Sequence, residues 1–440
     1  MNRICIIALS LLLLASCGNR RPGTNQDETA AKPERQGASV DTFAADYRPP
    51  AGIKYQPKIV TAGAKTIDVA AALKNVRALK ANEWGTPVLH GTGVEAHLIE
   101  NALLKADGEW VMQAAEGMYL LDDKYKAVKQ LFRNDITIEP MGKGHYFLNA
   151  KRVLGTAGYD DSLRQIRALY VAQEGKKTGG FVAALPWDEL RASADTCTPD
   201  RLVSLLPLQK GGVYVMDGGY FSPERFSSRL YTFGTRGDTL CLFTLNDAED
   251  YPPAGTYRNA ETSGNVYAYG GKPRIRIGFD DTVYELEDAS TLKAVWRLDF
   301  GALKRPTGKY VVGSTSNDLT GYWLIDSFLE TDRRILIGIT EGHDCPLNRE
   351  ANAVKLYTIV YDKQTGECFS LPLAKDKKGH PIFPEIPFTI GGKSFSAQRM
   401  GATDSLLYFS FEGKKLKEQL PGVPEVEAFG DEETVIMVVE

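Results

Sequence analysis

Five consecutive residues, Glu341-Gly342-His343-Asp344-Cys345, gather four metal-ligand types in one short stretch. Carboxylate, imidazole and thiolate in a loop form a donor set for a divalent ion, and a thiol beside His and Asp can be reactive. His343 and Asp344 are the candidate metal ligands. The competing expectation is a solvated loop with Cys345 in a disulfide. His90 and His97 flank Glu95, with Glu100 nearby, but the spacing is not that of H-E-x-x-H on a helix, and rim histidines are expected. The remaining histidines are His145 and His380. No G-x-S-x-G elbow occurs and no Ser, His and Asp set emerges from spacing, so no catalytic residue is assigned. Gly91-Thr92-Gly93 is not followed by G-K-[ST], so the glycines supply positive φ rather than a phosphate cradle. No cofactor is expected. Tyr220 and Phe221 follow Gly218-Gly219, with Pro223 and Phe226 close behind. Paired aromatics in a loop suit a sugar ring or a peptide chain, which makes Tyr220 and Phe221 the candidate ligand-binding residues. Their alternative role is to cover the edge of a third blade.

The elements that must carry these residues are strands. Helical spacing is confined to 68–80, where Val69, Ala70, Leu73, Val76 and Leu79 fit one short helix. Elsewhere short alternating runs are separated by tight polar turns. Residues 274–279, 282–287 and 294–300, joined at Asp280-Asp281 and 288–290, make an antiparallel meander. Residues 229–235 and 239–245 repeat the strand, Asp-Thr turn, strand pattern. Asp404-Ser405-Leu406-Leu407-Tyr408-Phe409 repeats its second half. Asp238, Asp281 and Asp404 are 43 and 123 residues apart, about one and three times a period near 40. Such a period in an all-β chain points to propeller blades. Further candidate blades are 106–132, with a turn at Asp122, and 322–373, with a turn at Asp362. Residues 202–217 open the blade containing Asp238, and 145–184 fit least well, with a hairpin at 167–173 and 180–185. Asp at these turns is expected to bond its own backbone. The terminal run Thr434-Val435-Ile436-Met437-Val438-Val439 is apolar from Val435 onward and is expected to pair into the ring and close it.

The chain has 440 residues and a formal charge of -4, with no basic stripe to neutralise phosphates, so nucleic acid is not an expected partner. Its N-terminus carries Arg3 and then an apolar stretch to Leu14, too short to span a bilayer. That reads as an export signal over 1–16. Leu14-Ala15-Ser16-Cys17 resembles the bacterial lipobox, which implies cleavage before Cys17 and lipidation of its thiol. Two or more acyl chains would anchor the protein stably. Residues 17–50 are polar and rich in Pro, Gly, Thr and Ala, a flexible tether ahead of a domain over 51–440. No acidic cluster resembling the surface-export signal of Bacteroidetes-type lipoproteins follows Cys17, and that comparison implies the periplasmic face of the outer membrane, with the cell surface as the alternative. Cys197, Cys241, Cys345 and Cys368 remain in the body, with three connectivities open if all pair. Cys241, within an apolar run, reads as a buried thiol.

Asp281-Thr282-Val283-Tyr284-Glu285-Leu286 followed by Trp296-Arg297-Leu298-Asp299-Phe300-Gly301 resembles the fourth-blade signature of six-bladed β-propeller lipoproteins from Bacteroidetes. Glu330-Thr331 followed by Tyr361-Asp362-Lys363-Gln364-Thr365 resembles their fifth blade. The stretch 134–200 departs from the pattern. The resemblance implies an all-β propeller, six blades with seven the alternative, and an envelope location, but no catalytic residues. Together these readings describe a lipid-anchored binding module for a protein, peptide or glycan partner in the cell envelope. The alternative is a propeller enzyme, a hydrolase or lyase with an axial metal or carboxylates. Acids converging at one end of the axis with shifted pKa values would favour the second.

Overall fold

The alternating runs fold into antiparallel meanders. The computed structural model describes residues 54–106, 109–114, 117–133, 146–149, 152–160, 165–173, 180–185, 202–208, 213–221, 225–233, 239–249, 265–276, 280–305, 319–398 and 401–439. The expected export signal and tether, with Cys17, and His145, Cys197 and the turn expected at Asp238 lie outside the described residues.

Among the described residues, the segments 98–133, 146–185, 202–249 and 323–370 each form a sheet of four strands paired in chain order. The segment 265–299 forms a fifth such meander, widened by strands from the N-terminal segment. A sixth sheet joins Gly401–Ala402, Leu407–Glu412 and Thr434–Val439 to Pro87–Gly91. The first strand of each sheet touches the first strand of the next. Leu98–Ala106 meets Tyr146–Asn149, which meets Leu202–Leu208, then Asn265–Tyr269, then Trp323–Glu330, then Gly401–Ala402. Gly401–Ala402 touches Leu98–Ala106 again, so the series returns to its start. This all-β body is a β-propeller.

The closing strand behaves as its composition demands. Thr434–Val439 pairs with Leu407–Glu412 on one side and with Pro87–Gly91 on the other. Val435, Met437 and Val439 pack with Phe388 and Phe409, whereas Ile436 and Val438 pack with Trp110 and Met112 of the 98–133 sheet. Both faces are buried, which is why the run does not alternate. Each such aliphatic side chain contributes about 1.5–3 kcal/mol on burial. Gly401 is required here, because a Cβ would overlap the Tyr408 hydroxyl. That hydroxyl accepts a hydrogen bond from the Leu103 N–H at 2.9 Å, tying the last sheet to the first.

Residues 55–91 run along the outer edges of successive sheets. The Tyr55 N–H donates to Leu240 O. Lys58–Val60 and Lys65–Asp68 then pair in parallel with Thr291–Asp299. Val76 bridges Ser370, Asn82 bonds Thr389 in both directions, and Pro87–Gly91 enters the closing sheet. The segment covers edge strands that would otherwise present unpaired backbone. The expected helix over 68–80 shrinks to Val69–Ala72, capped by the Asp68 carboxylate on Ala71 N. Its later residues are instead drawn onto the 323–370 sheet.

Other expectations need correction. Asp281 precedes the third strand of its sheet, and Asp404 lies between the first and second strands of its own, so their spacing is not a blade period. Strand length and turn length vary too freely for one. Cys241, Cys345 and Cys368 are free thiols, so no disulfide joins these three. The 146–185 segment contains the expected hairpin, Gln165–Gln173 with Gly180–Leu185, and two further strands ahead of it.

Candidate functional site

The Glu341–Cys345 loop is braced rather than open. Both Asp344 carboxylate oxygens accept from Arg349, at 2.5 and 2.6 Å. Glu341 accepts from Lys355 Nζ at 2.8 Å and from the Tyr357 hydroxyl at 3.2 Å. The His343 carbonyl accepts from Asn348 Nδ2, which anchors the loop to the helix Pro346–Glu350. His343 and Asp344 are thus adjacent, but the acid is already matched by a guanidinium. Among the described residues no group of three or more His, Cys, Asp or Glu side chains is placed to hold a metal ion. His90 lies in Pro87–Gly91 with its ring 4.8 Å from that of Tyr125, while Glu95 and His97 are exposed. Tyr220 and Phe221 are not in a loop. They end the strand Val213–Phe221 and stand opposite Ser227 and Phe226 in a hairpin. Gly218-Gly219 continues that strand instead of breaking it.

Two constellations emerge instead. The first is a polar junction where three first strands end. Glu330 is 3 % exposed and accepts from the Tyr267 hydroxyl at 2.6 Å, Trp296 Nε1 at 3.0 Å and Lys363 Nζ at 2.7 Å. The Lys363 ammonium also lies 4.1 Å from the Tyr269 ring centroid, a cation–π distance. The Tyr269 hydroxyl donates to Asp332 at 3.0 Å, and the Gly270 N–H donates to Asp404 at 2.9 Å. Asp332 N donates to the Asp404 carbonyl at 2.5 Å. Burial, reinforced by the charges of Asp332 and Glu330, raises the Asp404 carboxyl above the usual range, against the Gly270 bond. Burial lowers Lys363 although the Glu330 carboxylate favours its cation. Tyr267 is raised, by burial first and then by Glu330. Acids from two sheets therefore converge, but each is in use as a tie between sheets.

The second is a cleft of about 810 Å³ between the N-terminal segment and the 265–299 sheet. It opens where 61–64 leave the outer strand between the two parallel pairings. Its charged wall is preset. Arg305 Nε donates to Asp281 at 2.7 Å, its guanidinium stacks 4.6 Å from the Phe300 centroid, and Nη1 reaches the Trp323 carbonyl. Asp280 accepts from Thr282 N at 2.9 Å and the Tyr284 hydroxyl at 3.0 Å, and Asp299 accepts from Gly301 N at 2.8 Å. Thr66, Arg297 and Thr282 stand in register across three strands at the same cleft, with Arg297 exposed. Arg305 meets the start of Trp323–Glu330 and the junction lies at its end, while Trp296, bonded to Glu330, is the chain neighbour of Arg297 in the cleft, so the two constellations share the strand Thr291–Asp299. Asp281, Thr282 and 297–301 belong to the 281–286 and 296–301 segments whose sequence resembles a blade signature. What it did not reveal was that residues 61–66 complete the cleft with them.

With this geometry in hand the family can be stated. A family model described as a domain of unknown function, DUF4933, matches residues 50–422. The chain belongs to the DUF4933 family. No curated protein matches the sequence. Among solved structures, this DUF4933 chain is similar to a DUF4221 member from Bacteroides vulgatus, at 10% identity and a TM-score of 0.42, over 82% of this chain and 99% of that one. It is similar to a streptogramin B lyase at 10% identity and a TM-score of 0.34, over 82% and 100% of the two chains. The β-propeller domain of the Trilobed protease from Pyrococcus furiosus matches at 11% identity and a TM-score of 0.30, over 72% and 91%.

Proposed function

We propose that this DUF4933 protein is a six-bladed β-propeller, anchored outside the cytoplasm by lipid at Cys17, that acts as a binding module for a protein, peptide or glycan partner of the cell envelope. The cycle of contacts among first strands supports six blades. The lipobox-like Leu14–Cys17 run supports the anchor, and its flanking residues favour the periplasmic face of the outer membrane.

The observation that carries the binding role is the cleft at Arg305 and Asp281. Its charged groups are held in place by internal partners before any ligand arrives, so little ordering entropy remains to oppose association. A carboxylate already paired with a guanidinium is a poor general base, whereas fixed donors and acceptors suit recognition. The test is capture of partners from detergent-solubilised envelopes by the lipidated protein, with Arg297→Glu as the comparison. The module reading expects a partner that the wild type retains and R297E loses without a change in melting temperature. Equal capture by both proteins would count against the cleft.

One observation favours a second reading, an enzyme with carboxylates near the axis. Asp404 has an elevated pKa and neighbours Asp332 and Glu330. That reading expects turnover of a substrate that Asp404→Asn abolishes while the fold survives.

A further inference from the structure

A smaller pocket, about 250 Å³, opens between the 323–370 sheet and the closing sheet. Leu336, Leu407 and Val439 give it an apolar floor, and Trp84 forms one side. Arg333 and Arg334 line the same pocket. The Arg334 guanidinium lies 5.5 Å from the Trp84 ring centroid and donates to the Trp84 carbonyl at 3.1 Å. Its side chain is 12% exposed, against 55% for Arg333.

The two guanidiniums share one carboxylate oxygen. Asp362 Oδ2 is 3.4 Å from Arg333 Nε and 3.9 Å from Arg334 Nε, both longer than a good charge-assisted bond. Asp362 Oδ1 is occupied by the N–H groups of Gln364 and Thr365, at 2.9 and 3.0 Å. Glu83 also lines the pocket, but it is committed to Arg77 at 2.6 Å and to the Lys80 N–H at 3.0 Å. Two cations thus face the cavity with one loosely held carboxylate between them, while Glu83, hydrogen-bonded elsewhere, favours the Arg334 cation through charge alone. Burial, followed by the adjacent Arg333 charge, works against the Arg334 cation. A second anion would relieve that arrangement.

We propose that this pocket binds a small monocarboxylate with an apolar body. The carboxylate bridges Arg333 and Arg334, and the body rests on Trp84, Leu336 and Leu407. Planar guanidinium forks match a carboxylate, and an apolar floor rejects a fully hydrated ion. At about 30 Å³ per water-sized group, the volume admits roughly eight such groups, a body the size of one aromatic ring with a short acid chain. The site is separate from the cleft at Arg305 and does not depend on it.

The test is a titration of the full-length protein in detergent with phenylacetate, benzyl alcohol and inorganic phosphate, read by calorimetry. Phenylacetate is expected to bind, and benzyl alcohol, with the ring but no charge, to bind about tenfold more weakly or worse. Arg333→Gln should weaken phenylacetate by a similar factor and Arg333→Lys by less, with melting temperatures unchanged because the side chain is exposed. Equal affinity for phenylacetate and benzyl alcohol, no phenylacetate binding at millimolar concentration, or R333Q binding like wild type would overturn the proposal. Phosphate binding as well as phenylacetate would overturn the monocarboxylate assignment. None of these outcomes bears on capture of a partner at the cleft.

Discussion

Asp404 accepts a hydrogen bond from the backbone N–H of Gly270, 134 residues earlier and two sheets away, at 2.9 Å. The intervening sheet joins in through Asp332, whose N–H meets the Asp404 carbonyl and whose carboxylate takes the Tyr269 hydroxyl. Three sheets are thereby held together at one end of their first strands. The acids there serve as ties, and each tie has a measurable consequence.

Asp404 carries a carboxyl raised above its usual range by burial and by two neighbouring acids. A raised carboxyl pKa means the folded protein holds the proton more tightly than the unfolded chain. The resulting stability is fully present below the unfolded value of 3.8 and is lost as pH rises through the folded one. At neutral pH the ionised group therefore weakens the fold. Asp404→Asn keeps an acceptor for Gly270 without the charge, and thermal melts should show it more stable than wild type at pH 7. The gap should close as pH falls towards 4. A variant less stable at every pH would show that the charge itself is needed.

Lys363 is the sole cation hydrogen-bonded to Glu330 among the described residues, and Glu330 is almost fully buried. Lys363→Met leaves a carboxylate with two neutral donors and no hydrogen-bonded counter-charge, Arg274 being paired with Glu285, which should cost about 3–5 kcal/mol in urea denaturation. Adding Glu330→Gln removes the stranded charge and should recover most of the loss. If the double variant is as unstable as the single, packing around Lys363 rather than its charge holds the sheets.

Tyr408→Phe removes the hydroxyl that receives Leu103 N and should destabilise by about 1 kcal/mol. Gly401→Ala drives a Cβ into that hydroxyl and should cost more, about 1–3 kcal/mol. Both are read from the midpoint of unfolding. Equal effects would mean the backbone at Gly401 yields.

Removal of 432–440 deletes the strand that is paired on both sides and buried on both faces. The truncated protein should be insoluble. A soluble product with a cooperative melt would show that the remaining sheets close without it.

How legible these features were depended on whether they left a local pattern. Thr434–Val439 announced itself, since five apolar residues in a row, Val435 to Val439, require two covered faces. Asp122, Asp280, Asp288 and Asp362 bond the turn backbone beside them, as Asp at a tight turn should. Asp404 sits in a similar local sequence, but there Thr403 serves its own turn and the Asp carboxylate reaches Gly270. Nothing within a few residues distinguishes the two cases. Glu330, Lys363 and Asp332 were equally silent, because charged residues at strand ends are ordinary. The cleft was half visible. Its 281–282 and 297–301 walls carried recognisable motifs, whereas 61–66 join by parallel pairing across more than two hundred residues and leave no periodic trace. His343 and Asp344 looked like ligands because composition records which groups are near in sequence, not that Arg349 already binds the acid.

The central claim is that the cleft beside Arg305 and Asp281 is the face that meets a partner. Hydrogen–deuterium exchange of the full-length protein in detergent, with and without solubilised envelope, tests it most directly. Added protection at 61–66 and 297–301 is the predicted result. Protection confined to other surfaces, or none, would contradict it.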